Sequence, residues 1–246
     1  VKRAAIAALC TLALAAAPAP VRAWSMPVHR ALTAAAIRTL PAADRAAWGA
    51  ELDRLAQDYC TYPDLYAGLT GPRHDELRPY NEIDGRPVHN VTWNRREDLE
   101  TLARLRRSIA EAAAKGDYRR AGLYAGTLVH FIEDSLSPAH ALTPWDSPLD
   151  AIKDLVEPPP EKRSLNLHAV LEASAPPVDL GARAPRRIED GALLDAIYQG
   201  VRRNREVLLD LARAAYAGDR EAMTPTLRQA ATLAAQLVAD ALFSAR

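Results

Sequence analysis

Six histidines, at positions 29, 74, 89, 130, 140 and 168, carry most of the chemistry in this 246-residue chain. Several stand at fixed spacings from carboxylates. His130 and Asp134 are four apart in a stretch of helical periodicity, so both side chains project from one face, one turn apart. His140 follows just beyond Pro138, and the string HFIEDSLSPAH thus offers two ligands on a helix and a third past its end. His168 and Glu172 repeat the four-residue spacing in HAVLE. His29 stands in WSMPVH, while Asp64 and His89 occupy a proline-rich stretch, in YPDLY and RPVHN. Imidazole nitrogens and carboxylate oxygens in this mixture suit zinc, which typically takes four donors at roughly 2.0–2.2 Å.

Each element has an ordinary reading when taken alone. A His–Asp pair at helical spacing is more often a structural hydrogen bond, HxxxE fits a solvated helix face, and an Asp among prolines is commonly a turn residue. The ordered set says more. It resembles the family of zinc-dependent phospholipases C and S1/P1-type nucleases, in which the mature N-terminal Trp is itself a ligand. The family order of Trp, His, Asp, His, His-x-x-x-Asp, His and His-x-x-x-acid falls on Trp24, His29, Asp64, His89, His130, Asp134, His140, His168 and Glu172. His74, in GPRHDE, competes with His89 for the loop position, and His89 is preferred. Around the central motif the chain departs from the family: Glu133-Asp134 and Ser137-Pro138 stand where Gly-Asp and Gln-Pro are usual.

The resemblance implies three zinc ions. Asp64, His89, His130 and Asp134 would hold one. The α-amino nitrogen and carbonyl of Trp24, with His29 and a bridging Asp134, would hold a second. His140, His168 and Glu172 would hold the third, with positions open to water and substrate. Asp64 is implied as general base as much as ligand. A carboxylate-bridged zinc pair lowers the pKa of bound water from 15.7 towards ~7, so the implied activity is phosphodiester hydrolysis by zinc-activated water. A phospholipase C-like enzyme acting on phospholipid, with peripheral membrane contact and no stable protein partner, is the leading reading. A single-strand nuclease is the alternative. Tyr62 and Tyr66 flank Asp64, Asn90 follows His89, and Trp93 and Trp145 lie nearby; Tyr62, Tyr66, Trp93 and Trp145 are the candidate substrate wall. A non-catalytic zinc-binding protein on the same scaffold is a third reading. Structural zinc is normally closed by four protein ligands, whereas His140, His168 and Glu172 supply three.

The elements that must position these residues are helices. The chain is rich in Ala, Leu and Arg, and 49% of it is apolar, which favours helix over sheet. Helices are expected from Met26 to Leu40, over Ala43–Asp58, over Arg95–Lys115 with Gly116 and Asp117 as punctuation, and over Tyr118–Leu136. A short helix near Leu165–Ser174 and two long ones, about 189–217 and 223–244, complete an all-α, single-domain bundle of the phospholipase C/P1 nuclease type. Residues 59–93 and 141–164 read as two long loops, and no strand is expected.

Residues 1–23 read as a secretory signal, with Lys2 and Arg3 ahead of an apolar Ala4–Ala17 and small residues before Trp24. The run is shorter than the roughly 20 residues of a membrane span. Cleavage at Ala23–Trp24 would expose Trp24 and place residues 24–246 in a periplasm or outside the cell. Acylation at Cys10 is the competing reading. The mature domain then keeps Cys60 alone, without an internal disulfide. The segment holds three basic residues and no acid, so the remainder of a chain with 31 of each carries −3, with no general electrostatic grip on nucleic acid.

Overall fold

The computed structural model describes residues 24–141 and 156–245; the expected signal segment and Trp145 lie outside them. Helix α1, Met26–Thr39, opens with Pro27 in its first turn, where a missing N–H costs nothing. It ends before Pro41, as the residue preceding a proline disfavours helix. The helix expected over Ala43–Asp58 is instead two, α2 (Ala42–Trp48) and α3 (Glu51–Gln57). Gly49, at φ 54°, breaks them with a backbone conformation that glycine enters most freely.

The expected loop 59–93 also carries more structure. A 3-10 turn over Tyr59–Thr61 leads into α4 (Tyr62–Tyr66), and α5 (Pro72–Asn81) follows. A two-residue ladder then pairs β1 (Glu82–Ile83) with β2 (Arg86–Pro87), antiparallel. Asp84 and Gly85, both at positive φ, form its turn, the Asp-Gly signature of a tight hairpin. Proline density hid this segment, since Pro72 starts a helix rather than ending one.

The longer helices follow expectation closely: α6 is Arg95–Ala114, α7 is Tyr118–Ser135, α8 is Leu167–Ala173, α9 is Asp190–Ala217 and α10 is Arg220–Ser244. Asn94, Asp117, Asn166 and Asp219 each cap a helix by accepting from a backbone N–H three residues on. Helix α10 begins earlier than expected because Asp219 supplies the cap and Pro225 is carried within the helix. Helix α7 is the axis of the domain. From Ala125 to Ser135 every residue is buried, with α6, α10, α3 and the 59–61 turn packed around it. One contiguous apolar cluster runs from Trp24 to Ala245. The described residues are mostly helical, consistent with the all-α expectation.

Candidate metal centre

A helix buried on all sides should be apolar throughout, yet α7 carries His130, Glu133 and Asp134 at its heart, each 0% exposed. Burying such groups costs several kcal/mol unless they are paired. The geometry accounts for part of that cost. A close approach of α7 to the 59–61 turn lets the Cys60 carbonyl accept from His130 Nδ1–H at 2.9 Å. Gly126 makes the approach possible: a Cβ there would come within 2.6 Å of the Tyr59 carbonyl carbon. With Nδ1 occupied, Nε2 faces inward, 2.9 Å from Asp134 Oδ2 and 3.6 Å from Asp64 Oδ1.

The remaining members arrive from other elements. Helix α4 places Asp64. The β1–β2 hairpin delivers His89, and the next residues are tied down where Val91 N–H donates to Ser135 Oγ at 3.0 Å. His89 Nε2 lies 3.2 Å from Asp64 Oδ1, and its Nδ1 lies 2.9 Å from Asp134 Oδ2. From α1, His29 stacks on His130 with ring centroids 4.5 Å apart. Its Nε2 sits 3.2 Å from Asp134 Oδ1 without hydrogen-bond geometry. Trp24 is fully buried, its indole N–H donating to the Glu133 carbonyl at 2.7 Å.

A second cluster lies beyond the C-terminal end of α7. His140 is carried on a 3-10 turn, Pro138–His140, which is held from behind by α9: Asn204 Nδ2 donates to Leu136 O at 2.8 Å and Arg205 Nε donates to Ala141 O. Helix α8 brings His168 into close contact with Glu172, and His140 Nε2 lies 3.6 Å from Glu172 Oε1. The Asn90 amide meets His140 Nδ1 at 3.3 Å. The atom nearest Nδ1 is Asn90 Nδ2, while Asn90 Oδ1 has no partner; turning the amide over would let its oxygen accept from Nδ1–H and leave the Nε2 lone pair facing the cluster.

The decisive feature is what these atoms do not bond to. Among the described residues, His29 Nε2, Asp64 Oδ2, His130 Nε2, both Asp134 oxygens, His140 Nε2 and His168 Nδ1 are buried without a hydrogen-bond partner. Buried polar groups are nearly always satisfied, so orphans converging from four α-helices and a 3-10 turn mark a place for something else. Two groups could hold metal ions: Asp64, His89, His130 and Asp134, and separately His140, His168 and Glu172, the donor atoms of each lying within 4.8 Å of one another. No protein-family model, curated protein or solved structure matches the chain.

The electrostatics divide along the same line. Burial alone would depress the imidazoles of His29 and His89. The carboxylates around them outweigh it: Asp134 and Glu133 hold His29 well above the ordinary histidine value, and Asp134 and Asp64 raise His89 to about 10. Burial likewise opposes charge on Asp134 and Asp64, but the neighbouring histidines hold both below the usual carboxylate range. The second cluster lacks such compensation. Burial pushes His140 down to about 3, His168 down to about 4 and Glu172 up to about 11. In the metal-free protein the first cluster is thus a network of opposite charges and the second is neutral.

His74 stands apart, a third exposed and stacked on Tyr66 at 4.5 Å. Tyr66 is buried, with its hydroxyl bonded to Glu82. Tyr62 packs edge-on to Tyr59 at 5.4 Å beneath the Arg73 guanidinium. Trp93, at φ 66°, holds a backbone conformation rare for a bulky residue; it stacks on Tyr198 at 5.2 Å, with the Arg205 guanidinium 4.1 Å from its ring centre. Sequence reasoning passed over Glu133 and Asn90 as site residues. A glutamate inside the apolar run LVHFIEDSL was the available signal for the first.

Proposed function

We propose that the chain is a zinc-dependent phosphodiesterase of phospholipase C-like type, with a three-ion centre built on α7 and matured by cleavage at Ala23–Trp24. The observation that carries it is the convergence of unpartnered buried donors on the residues that correspond, in order, to the ligands of the resembled family. The donor set fits the ion. Nitrogen and carboxylate oxygen suit zinc, and one donor atom from each of Asp64, His89, His130 and Asp134 can be taken so that all four lie within 4.8 Å of one another. Asp64, His89, His130 and Asp134 would hold one ion, His29, Asp134 and the freed terminus of Trp24 a second, and His140, His168 and Glu172 a third.

Zinc in such a centre supplies Lewis acidity to a phosphoryl oxygen and an activated water near neutral pH. The chain's own groups do the rest. Asp64, ionised and with Oδ2 unpartnered, accepts the proton of the attacking water. Asp134 presents its two oxygens to different histidines, Oδ1 to His29 and Oδ2 to His89 and His130, and so would serve both of the first two ion sites. The His140 cluster supplies three donors where a closed structural site takes four, leaving room for substrate oxygen.

The test is hydrolysis by the processed, zinc-loaded protein of p-nitrophenyl phosphorylcholine, then of phosphatidylcholine vesicles against single-stranded DNA. Turnover of the choline esters that a chelator abolishes and zinc restores supports the reading. Cleavage of DNA alone moves it to a nuclease, and zinc uptake without turnover of any ester moves it to a binding protein.

A further inference from the structure

Glu133 lies outside the ligand set, yet its side chain and main chain together accept three hydrogen bonds next to that set. Its carboxylate is fully buried and accepts twice, from His29 Nδ1–H at 2.6 Å and from Thr33 Oγ1–H at 2.9 Å. Its main-chain carbonyl accepts the Trp24 indole N–H at 2.7 Å. All three donors come from residues 24–33, and all three converge on one residue of α7. His29 and Thr33 are four apart on α1, so one helix face presents both.

A buried carboxylate that only filled space would be better replaced by a hydrocarbon. Here the carboxylate oxygens do something a hydrocarbon cannot. By accepting from Nδ1–H the carboxylate fixes the His29 ring orientation, so that Nε2 is the nitrogen turned towards the ion site. That Nε2 is left unpartnered, aimed at Asp134 Oδ1 from 3.2 Å.

We infer that Glu133 is a positioning residue that docks the N-terminal segment, Trp24 through Thr33, onto α7 and orients His29, so that the deepest ion site is assembled before an ion arrives. Its purpose, though not its hydrogen bonds, rests on the metal reading above.

Two measurements on the full processed chain test this in wild type, Glu133→Ala, Glu133→Gln and His29→Ala. The first is proton NMR of the metal-free protein, following the His29 Nδ1–H resonance. The second is zinc stoichiometry and affinity by competition with a chromophoric chelator. A charge-assisted bond places the Nδ1 proton at low field; Glu133→Ala should lose it and Glu133→Gln should move it upfield. Glu133→Ala should bind one zinc 10- to 100-fold more weakly, the size of effect typical when a ligand histidine loses its orienting partner. The other ions should be unaffected. Glu133→Gln, which retains an acceptor oxygen, should recover part of that loss, and adding Glu133→Ala to His29→Ala should cost nothing further at this site. Unchanged zinc affinity in Glu133→Ala overturns the inference, as does a metal-free wild type with no hydrogen-bonded Nδ1 proton. If Glu133→Ala does not fold, an unchanged resonance and affinity in the shape-preserving Glu133→Gln overturns it instead. A wild type that takes up no zinc sinks the metal reading, and the resonance and its loss then decide the docking role alone.

Discussion

Loading the metal-free protein with zinc at pH 7.4 should release about three protons per chain from His29, His89 and Glu172, because metal can bind only deprotonated ligands. The count follows from which groups still hold a proton. Asp64 and Asp134 are already ionised, and His140 and His168, pushed down to about 3 and about 4, are already neutral, so these four release none. His29, held well above the ordinary value, His89 at about 10 and Glu172 at about 11 each carry a proton that the ion must displace. A freed Trp24 amine, with an ordinary pKa of about 7.7–8.0, adds a further fraction. The sign is fixed: displaced protons make the overall affinity rise with pH, by about a thousandfold per unit for three, until the raised groups begin to titrate on their own. Calorimetry in buffers of different ionisation enthalpy reads the number as a slope. A slope near zero with full zinc uptake would mean that the ions sit on groups other than these, and the assignment of both clusters would fall.

Three further outcomes are expected. Asp134→Asn should strip two ions and leave the His140 cluster loaded; in the metal-free protein, where that carboxylate faces His29, His89 and His130, it should cost about 3–5 kcal/mol in urea unfolding. Gly126→Ala should lower stability by about 1–3 kcal/mol despite alanine's better helix propensity, since the obstructing atoms are the Tyr59 backbone; calorimetric melting checks it, and a more stable variant would show that the approach is slack. A methionine placed ahead of Trp24 should remove one zinc and most hydrolysis, as measured by metal content and N-terminal mass. Full loading of that protein would exclude the terminal amine as a ligand.

What could be read from the sequence was what local spacing controls. His130 and Asp134 on one face, the Gly116–Asp117 punctuation and the ends of α6 and α7 follow from a 3.6-residue period and from caps. The approach of Asp64 and His89 to that face depends on α4, α5 and a two-residue ladder inside a stretch dense in proline, where period fails as a guide. Glu133 was overlooked for a related reason. An acidic side chain reads as solvent-facing unless it is known that α7 is enclosed on every side, which is a property of the packing of α1, α6 and α10 around it. The Gly49 break is a third case: a single glycine within helical periodicity is often tolerated, and only its positive φ ends the helix here.

The candidate ligands lie at graded depths, and on the proposed metal reading that gradient would set how long each ion stays. Trp24, His29 and Asp134 are wholly enclosed, whereas the side chains of His89 and His140 keep 20% and 10% of their surface open. An ion at the enclosed end would leave only when the segment bearing Trp24 opens away from α7, a local unfolding event. One held by His140, His168 and Glu172 would keep all of those side chains through that opening, and the His140 side chain keeps 10% of its surface open. Residence times should therefore differ between the two ends, with the outer ion labile to dilute chelator and the inner one exchanging only as fast as the first helix breathes.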